Sequence, residues 1–405
     1  MILQKGKEII NTESMRTFKK IWHGIIYIFV NLLYFVSFPL AFLLYNNKRV
    51  WLISEVDFDA RDNGIHFFNY IRNNHPEINS YYLIDKTNPN FNIVNKIGKT
   101  VRPHSYKHLL LFISAKAKIS TLVHGCSPSW CITKHLLKHH GTGKNIALKH
   151  GIFKNLHPNY FKKNAHLDLI CCGGKPEFEF INNEFGYQSG VANYTGLARF
   201  DALHNLKNDK EIFIMPTWRR WLDNIDSVSE FERTDYYKNW SQLLFDSRFL
   251  KLAKDNGFCI CFYVHPKLNK FIDLFQSEEP LITFLNSKNG DSVQDHLKKA
   301  SIMITDFSSV FFDFAYMRKP AVYYQFDEKQ YFDSHYIKAY FDYRDNGFGP
   351  VVKNIDDVIS EIRKIILNDC EMIGNYYQRA VEFFPLYDTK NCERIFFAIN
   401  EVLSK

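Results

Sequence analysis

The chain has 405 residues, 46% of them hydrophobic, which is enough for two domains with separate cores and leaves little room for extended disorder. A net charge of +8 spread over that length permits anionic partners without demanding nucleic acid, and none is expected. The eight cysteines form no CxxC pair and so long a chain needs no staples, so they read as reduced side chains of a cytosolic protein.

Residues 1–20 are mostly polar and basic, and Ile21 to Tyr45 is then almost wholly apolar, interrupted by His23, Asn31, Ser37 and Pro39 and followed by Lys48 and Arg49. No small-residue cleavage site follows, so a removed signal peptide is not expected. The stretch exceeds the roughly 20 apolar residues that cross a bilayer. However, Pro39 is expected to break or kink a helix, and positive charge on both flanks gives no inside–outside asymmetry. A segment lying in the cytoplasmic leaflet therefore fits at least as well as a single span, with burial against the first domain as the bland alternative. The expected location is the cytoplasmic face of the cell membrane, peripheral or monotopic.

From Trp51 short apolar strands alternate with amphipathic stretches. The expected strands are Val50–Ser54, Tyr81–Ile84, Thr100–Arg102, Lys118–Leu122, Asn145–Lys149, Leu167–Cys171 and Val191–Tyr194, with helical patterns such as Gly64–Asn73 and Tyr106–Ser114 between them. That order implies a parallel sheet covered on both faces. Cys131, His135, His139 and His140 match no zinc spacing, so no metal site is expected there. Leu203 to Lys210 is polar and patternless and reads as a linker. A second series follows at Ile212–Met215, Phe258–Val264, Leu281–Phe284, Ile302–Thr305 and Ala321–Tyr324, and helical patterns at Ile355–Leu367 and Glu393–Leu403 close the chain. The expected divisions are a membrane-associating segment at 1–46, a first domain at 47–203, a second at 211–370, and closing helices at 371–405.

The stretch ASIMITDFSSVFFDFAYMRKPAVYY, from Ala300 to Tyr324, reads as strand, helix and strand. A helix is expected to begin near Ser309, where free backbone N–H groups and the hydroxyls of Ser308 and Ser309 would meet a phosphate. Serines that merely cap the helix are the competing reading. Ligands of open parallel sheets collect at the carboxyl ends of the strands. There this chain places His150 and Gly151; Thr195, Gly196, Arg199 and Asp201; Thr217, Trp218, Arg219 and Arg220; His265 and Lys267; and Asp306, Ser308 and Ser309. Together they describe a site for a pyrophosphate-bearing ligand.

ALKHGI at 147–152, YTGLARFD at 194–201, MPTWRRW at 215–221, YVHPKL at 263–268 and ITDFSSVFFDFAY at 304–316 resemble, in order and spacing, the CDP-glycerol glycerophosphotransferase family of teichoic-acid primases and polymerases. WLISEVDFDARDNG at 51–64 is similar to the opening strand and loop of that family. Two positions depart from its pattern: Leu148 and Lys149 stand where a Trp usually precedes His-Gly, and Ala198 replaces a usual Pro. The resemblance implies an α/β fold of the GT-B type, with two doubly wound Rossmann-like domains facing a cleft, an acceptor domain first and a CDP-alcohol donor domain second. It implies transfer of glycerol phosphate from CDP-glycerol to a hydroxyl of a lipid-linked glycan, teichoic-acid, polyol-phosphate or capsule acceptor, with release of CMP. CDP-ribitol, or a nucleotide sugar in a GT-B glycosyltransferase, is the alternative.

An alcohol needs a base to become a nucleophile, and His150 at a first-domain strand tip is the expected one. His265 is expected on the transferring phosphate, with Arg219, Thr217, Ser308, Ser309, Asp306 and Lys267 forming the donor and phosphate set. Gly151, Arg199 and Asp201 fall to the acceptor or the hinge. With so many fixed donors no cofactor is required, and Mg2+ is left open.

Overall fold

The computed structural model describes residues 2–45, 49–129, 131–133, 143–204, 206, 208–275, 279–286, 291–334 and 337–405, with backbone alone for 2–19. His135, His139 and His140 lie outside these residues, as do positions 205 and 207 of the expected linker. The chain forms two units, Met1–His150 with Lys162–Ile170 and Phe397–Lys405, and Gly151–Phe161 with Cys171–Phe396.

The N-terminal apolar stretch forms a helix, α1 (Ile2–Tyr45), that continues through Pro39 where a break was expected. Contacts on both sides of the proline hold it. Tyr34 and Ala41 are buried against α4 (Tyr106–Ser114), Ser37 donates to the Tyr106 hydroxyl at 3.2 Å, and Ser114 donates to the Ala41 carbonyl at 3.0 Å. The opposite face is open to solvent: Ile28, Phe29, Leu32 and Val36 are 59–69% exposed. One stripe of the part of α1 from Tyr34 onward is thus core, and the other is an apolar surface with no protein over it among the described residues.

Behind α1 lies a parallel sheet in the order β3-β2-β1-β4-β5-β6-β7. Its strands are β1 (Trp51–Ser54), β2 (Ser80–Leu83), β3 (Lys99–Val101), β4 (Ala117–Ser120), β5 (Lys144–Ala147), β6 (Leu169–Cys172) and β7 (Ala192–Tyr194). Helices α2 (Asn63–Asn74) and α3 (Phe91–Ile97) join its first strands. Every residue of β1 is buried, as befits a central strand covered on both faces.

The second sheet is also parallel, in the order β10-β9-β8-β11-β12-β13. It consists of β8 (Asp209–Met215), β9 (Cys259–Tyr263), β10 (Ile282–Leu285), β11 (Ala300–Thr305), β12 (Ala321–Tyr324) and β13 (Val351–Val352). Alternation along the strands divides two cores. Ile212, Ile214, Ile302, Ile304 and Phe262 pack on one face with Trp240, while Phe213, Met303 and Tyr323 pack on the other with Phe311 and Phe348. The α/β class with two doubly wound sheets of the GT-B type is as expected.

Three details differ from what the sequence suggests. The helix after β11 spans only Phe311–Tyr316, and Ser308 and Ser309 lie in the turn before it. Arg318, at a φ of +61°, ends it two residues ahead of Pro320. Six residues carry little macrodipole, so an anion at this turn would rest on the local N–H and hydroxyl donors. Helices at Val228–Glu232, Asp235–Leu244 and Ser247–Asp255 and the two-residue strand β13 were not anticipated.

Candidate active site

In the first unit, the chain leaves β5 through Lys149, a buried non-glycine residue at a φ of +61°, and this turn presents His150 with its side chain 70% exposed. The Asn63 side-chain amide donates to the Lys149 carbonyl at 2.8 Å and fixes that turn. The His150 Nδ1 lies 2.5 Å from a carboxylate oxygen of Asp62, which is 7% exposed.

Asp62 stands at the N-cap of α2, yet its side chain makes no capping bond. Glu55, just past β1, serves the loop instead, its carboxylate accepting from the backbone N–H groups of Arg61, Asp62 and Ile65 at 2.8, 3.0 and 2.7 Å. Burial, and then the neighbouring Asp62 charge, push Glu55 up to about 7. A Cβ on Gly64 would come within 2.7 Å of the Glu55 side chain, so the loop needs glycine there.

In the second unit, Arg219 is fully buried. It forms a fork with Asp327, Nε to Oδ2 at 2.7 Å and Nη2 to Oδ1 at 2.9 Å, and Nη2 also reaches Asp306 at 2.8 Å. Its Nη1 donates to the Thr217 carbonyl at 2.6 Å, and the rings of Phe307, Tyr331 and Tyr236 surround the guanidinium at 5.0–5.4 Å. Burial works to lower its pKa, but the two carboxylates outweigh burial and hold it above its usual value. The guanidinium has no exposed surface, and through these partners Arg219 locks the β8, β11 and β12 loops together.

Asp306 belongs to the same lock. It is fully buried, and its Oδ1 accepts from the Thr217 N–H at 2.8 Å and the Phe307 N–H at 2.5 Å.

What the lock holds at its rim is more open. Ser308 and Ser309 are half-buried; the Ser308 hydroxyl is 3.5 Å from the Val310 N–H, a weak cap at best. The Thr217 hydroxyl is buried and has no hydrogen-bond partner among the described residues. A Cβ on Gly151 would lie 3.7 Å from the Ser309 hydroxyl and 3.8 Å from Arg199, so these three residues come together. Arg199 makes a bidentate pair with Asp313 at 2.6 and 2.8 Å. Asp201 stands apart from them: it accepts from Asn391 and Cys392 backbone N–H groups at 2.8 and 2.9 Å and caps the last helix.

His265 caps the turn after β9, its Nδ1 accepting from the Lys267 N–H at 3.3 Å. Burial, aided by the Lys267 charge, lowers it to about 4, so the ring is neutral near pH 7. With Nδ1 accepting, the ring proton sits on Nε2, where it can donate to a phosphate oxygen. The Trp218 ring is stacked at 6.3 Å from His265, and the Lys267 ammonium lies 3.4 Å from the centre of that indole.

Two parts of this arrangement were not foreseen from the sequence. Glu55 and Asp62 lie in the stretch at 51–64 that resembles the family's opening strand and loop, where an acidic pair at the end of a first strand was the available signal. Lys154 is the other: it is 7% exposed, four residues beyond His150, and burial lowers it to about 8 while Asp306 acts to raise it. Among the described residues, Glu211, Cys259 and Cys261 form the one group whose ligand atoms could share a metal, and it lies at the opposite, amino-terminal ends of β8 and β9.

Residues 34–401 match the family model described as CDP-Glycerol:Poly(glycerophosphate) glycerophosphotransferase. The chain is 31% identical over 377 residues to the minor teichoic acid biosynthesis protein GgaB of Bacillus subtilis, an alignment covering 89% of this chain and 41% of that one. It is 24% identical over 328 residues to the teichoic acid glycerol-phosphate transferase of Staphylococcus aureus, covering 73% and 78%. The wall teichoic acid polymerase TagF has the same fold, with a TM-score of 0.67 at 15% identity over 96% of this chain and 98% of that one. The chain spans less than half the length of GgaB.

Proposed function

Since the chain belongs to the CDP-glycerol:poly(glycerophosphate) glycerophosphotransferase family, we propose that it transfers glycerol phosphate from CDP-glycerol to a hydroxyl of a membrane-linked teichoic-acid, glycan or capsule acceptor and releases CMP. The observation that carries this reading is the rim of the second sheet. There half-buried Ser308 and Ser309 follow the buried Asp306 at the end of β11, and a neutral His265 follows β9. Fixed donors of this kind suit a pyrophosphate whose negative charge grows on the leaving CMP, because they need no reorganisation as the bond breaks. In the first unit, exposed His150 is the proposed base for the acceptor hydroxyl.

The donor assignment is tested by offering the purified protein CDP-glycerol, CDP-ribitol and nucleotide sugars and following nucleotide release; release of UDP or GDP with no CMP overturns it. Ser308→Ala combined with Ser309→Ala should weaken CDP-glycerol binding by about 10²-fold or more, since each hydrogen bond to a charged group contributes about 1.5–3 kcal/mol. Unchanged affinity in the folded double variant would return these serines to a purely local role in the turn.

The acceptor's lipid anchor gives the exposed stripe of α1 a use, and we place that stripe in the membrane interface. Deleting α1 is a poor test because Tyr34 and Ala41 belong to the core. Changing Ile28, Phe29, Leu32 and Val36 together to Ser or Gln should move the protein to the soluble fraction with its cooperative melt retained. High salt should extract the parent protein only in part, since apolar burial is not screened.

A further inference from the structure

We propose that Asp62 is a positioning residue for His150, turning its ring so that Nε2 faces the acceptor hydroxyl and balancing the charge that the ring gains; this rests on the reading of His150 as the base. Three features of the first unit converge on it.

The first is contact. The ring nitrogen Nδ1 and the Asp62 carboxylate are 2.5 Å apart across 88 residues of sequence, with the Asp62 side chain 10% and the His150 side chain 70% exposed. A carboxylate accepts only, so Nδ1 carries a proton, and in the neutral ring Nε2 is the lone-pair nitrogen.

The second is a capping role handed to another residue. An aspartate at an N-cap ordinarily accepts from the first turn of its own helix, but the Asp62 side chain makes no such bond. Glu55 caps α2 in its place, holding three backbone N–H groups of the same loop, including that of Asp62 itself. The Asp62 carboxylate is thereby available to the imidazole.

The third is the rigidity of both partners. Asn63, next to Asp62, holds the Lys149 carbonyl, next to His150, so side chain and backbone are joined twice between the same two loops. The left-handed backbone at Lys149 is a strained state for a non-glycine residue and persists because that clamp over-determines it.

In the step this serves, the acceptor O–H proton passes to His150 Nε2 as the oxygen forms its bond to the glycerol phosphate phosphorus. The pyrophosphate P–O bond breaks with its electron pair leaving on CMP. The imidazolium then lies against the Asp62 carboxylate until the proton passes to solvent.

The test uses Asp62→Asn in the full chain, which keeps shape and removes charge. Turnover should fall by roughly 10- to 10³-fold, less than or equal to the effect of removing the ring, with donor affinity unchanged. In the His150→Ala background, Asp62→Asn should add no further loss. Ring 15N shifts, with the His150 signals assigned by difference from His150→Ala, should show Nδ1 protonated in the parent protein at neutral pH and a lower ring pKa in the variant. A parent ring protonated at Nε2 overturns the proposal even if Asp62→Asn fails to fold. So does parent-like turnover in a folded variant, or an equal loss with and without the histidine. If His150→Ala is active while the Nδ1 tautomer is found, the base assignment fails and the Asp62 contact stands.

Discussion

Replacing His150 with Ala should lower turnover by roughly 10²–10⁴-fold, the usual contribution of a positioned proton acceptor, while affinity for CDP-glycerol stays near that of the parent. The asymmetry follows from where the residue sits. His150 projects from a strand end in the first unit, and the residues assigned to the nucleotide and its phosphates lie in the second. CMP release at saturating donor, followed beside calorimetric titration of CDP-glycerol, separates the two quantities. Near-parent turnover in a folded His150→Ala protein would remove the base from this position. His265 is poorly suited to inherit it, because a ring lowered to about 4 by burial and by Lys267 is a weak proton acceptor. Loss of donor binding together with turnover would instead place His150 on the phosphates.

A change at Arg219 should act on the fold. Arg219→Met keeps much of the stem and removes the fork, leaving Asp306 and Asp327 buried without their cation. Breaking such a pair on one side costs about 3–5 kcal/mol. For a unit of this size that corresponds to a drop on the order of 10 °C in the melt of the second sheet. Neutralising the stranded acids as well, with Asp306→Asn and Asp327→Asn, should recover part of the loss, because the penalty comes from uncompensated charge more than from a lost attraction. A thermal melt of the single and triple variants decides it. An unchanged melt with weakened donor binding would show that Arg219 reaches the ligand after all.

The same residue shows where sequence reasoning runs short. The strands were legible because apolar runs bounded by polar residues fix both extent and direction, and the alternation of Ile212, Phe213 and Ile214 between two cores is visible in the letters themselves. Strand ends then named the polar candidates for a site. Their partners were not legible. Nothing near Arg219 in sequence distinguishes a cation aimed at a phosphate from one closed in by Asp306 and Asp327, since Asp327 lies 108 residues away. Asp62 and His150 are a similar case: His150 was a candidate, Asp62 stood only inside the stretch at 51–64, and the fold brings them together. At Ser309 the apolar spacing suggested a longer helix than Phe311–Tyr316, because periodicity cannot register the left-handed turn at Arg318. At Pro39 the opposite occurred, and packing against α4 kept the helix whole where local preference argued for a break.

That packing also bears on how the protein would work at a surface. An enzyme hung from a lipid by a loose tether can swing, and its reach is set by the length of the tether. Here the C-terminal part of α1, from about Tyr34 to Tyr45, is packed and hydrogen-bonded to the unit that carries His150. Were the exposed stripe to lie in the membrane interface as proposed above, the mounting would be a fixed standoff, and the height of the imidazole above the headgroups would be set by the thickness of the protein between them. Such a mount trades reach for repeatability: acceptor hydroxyls that drift laterally at that height are met again and again, while those held much higher or lower are passed over.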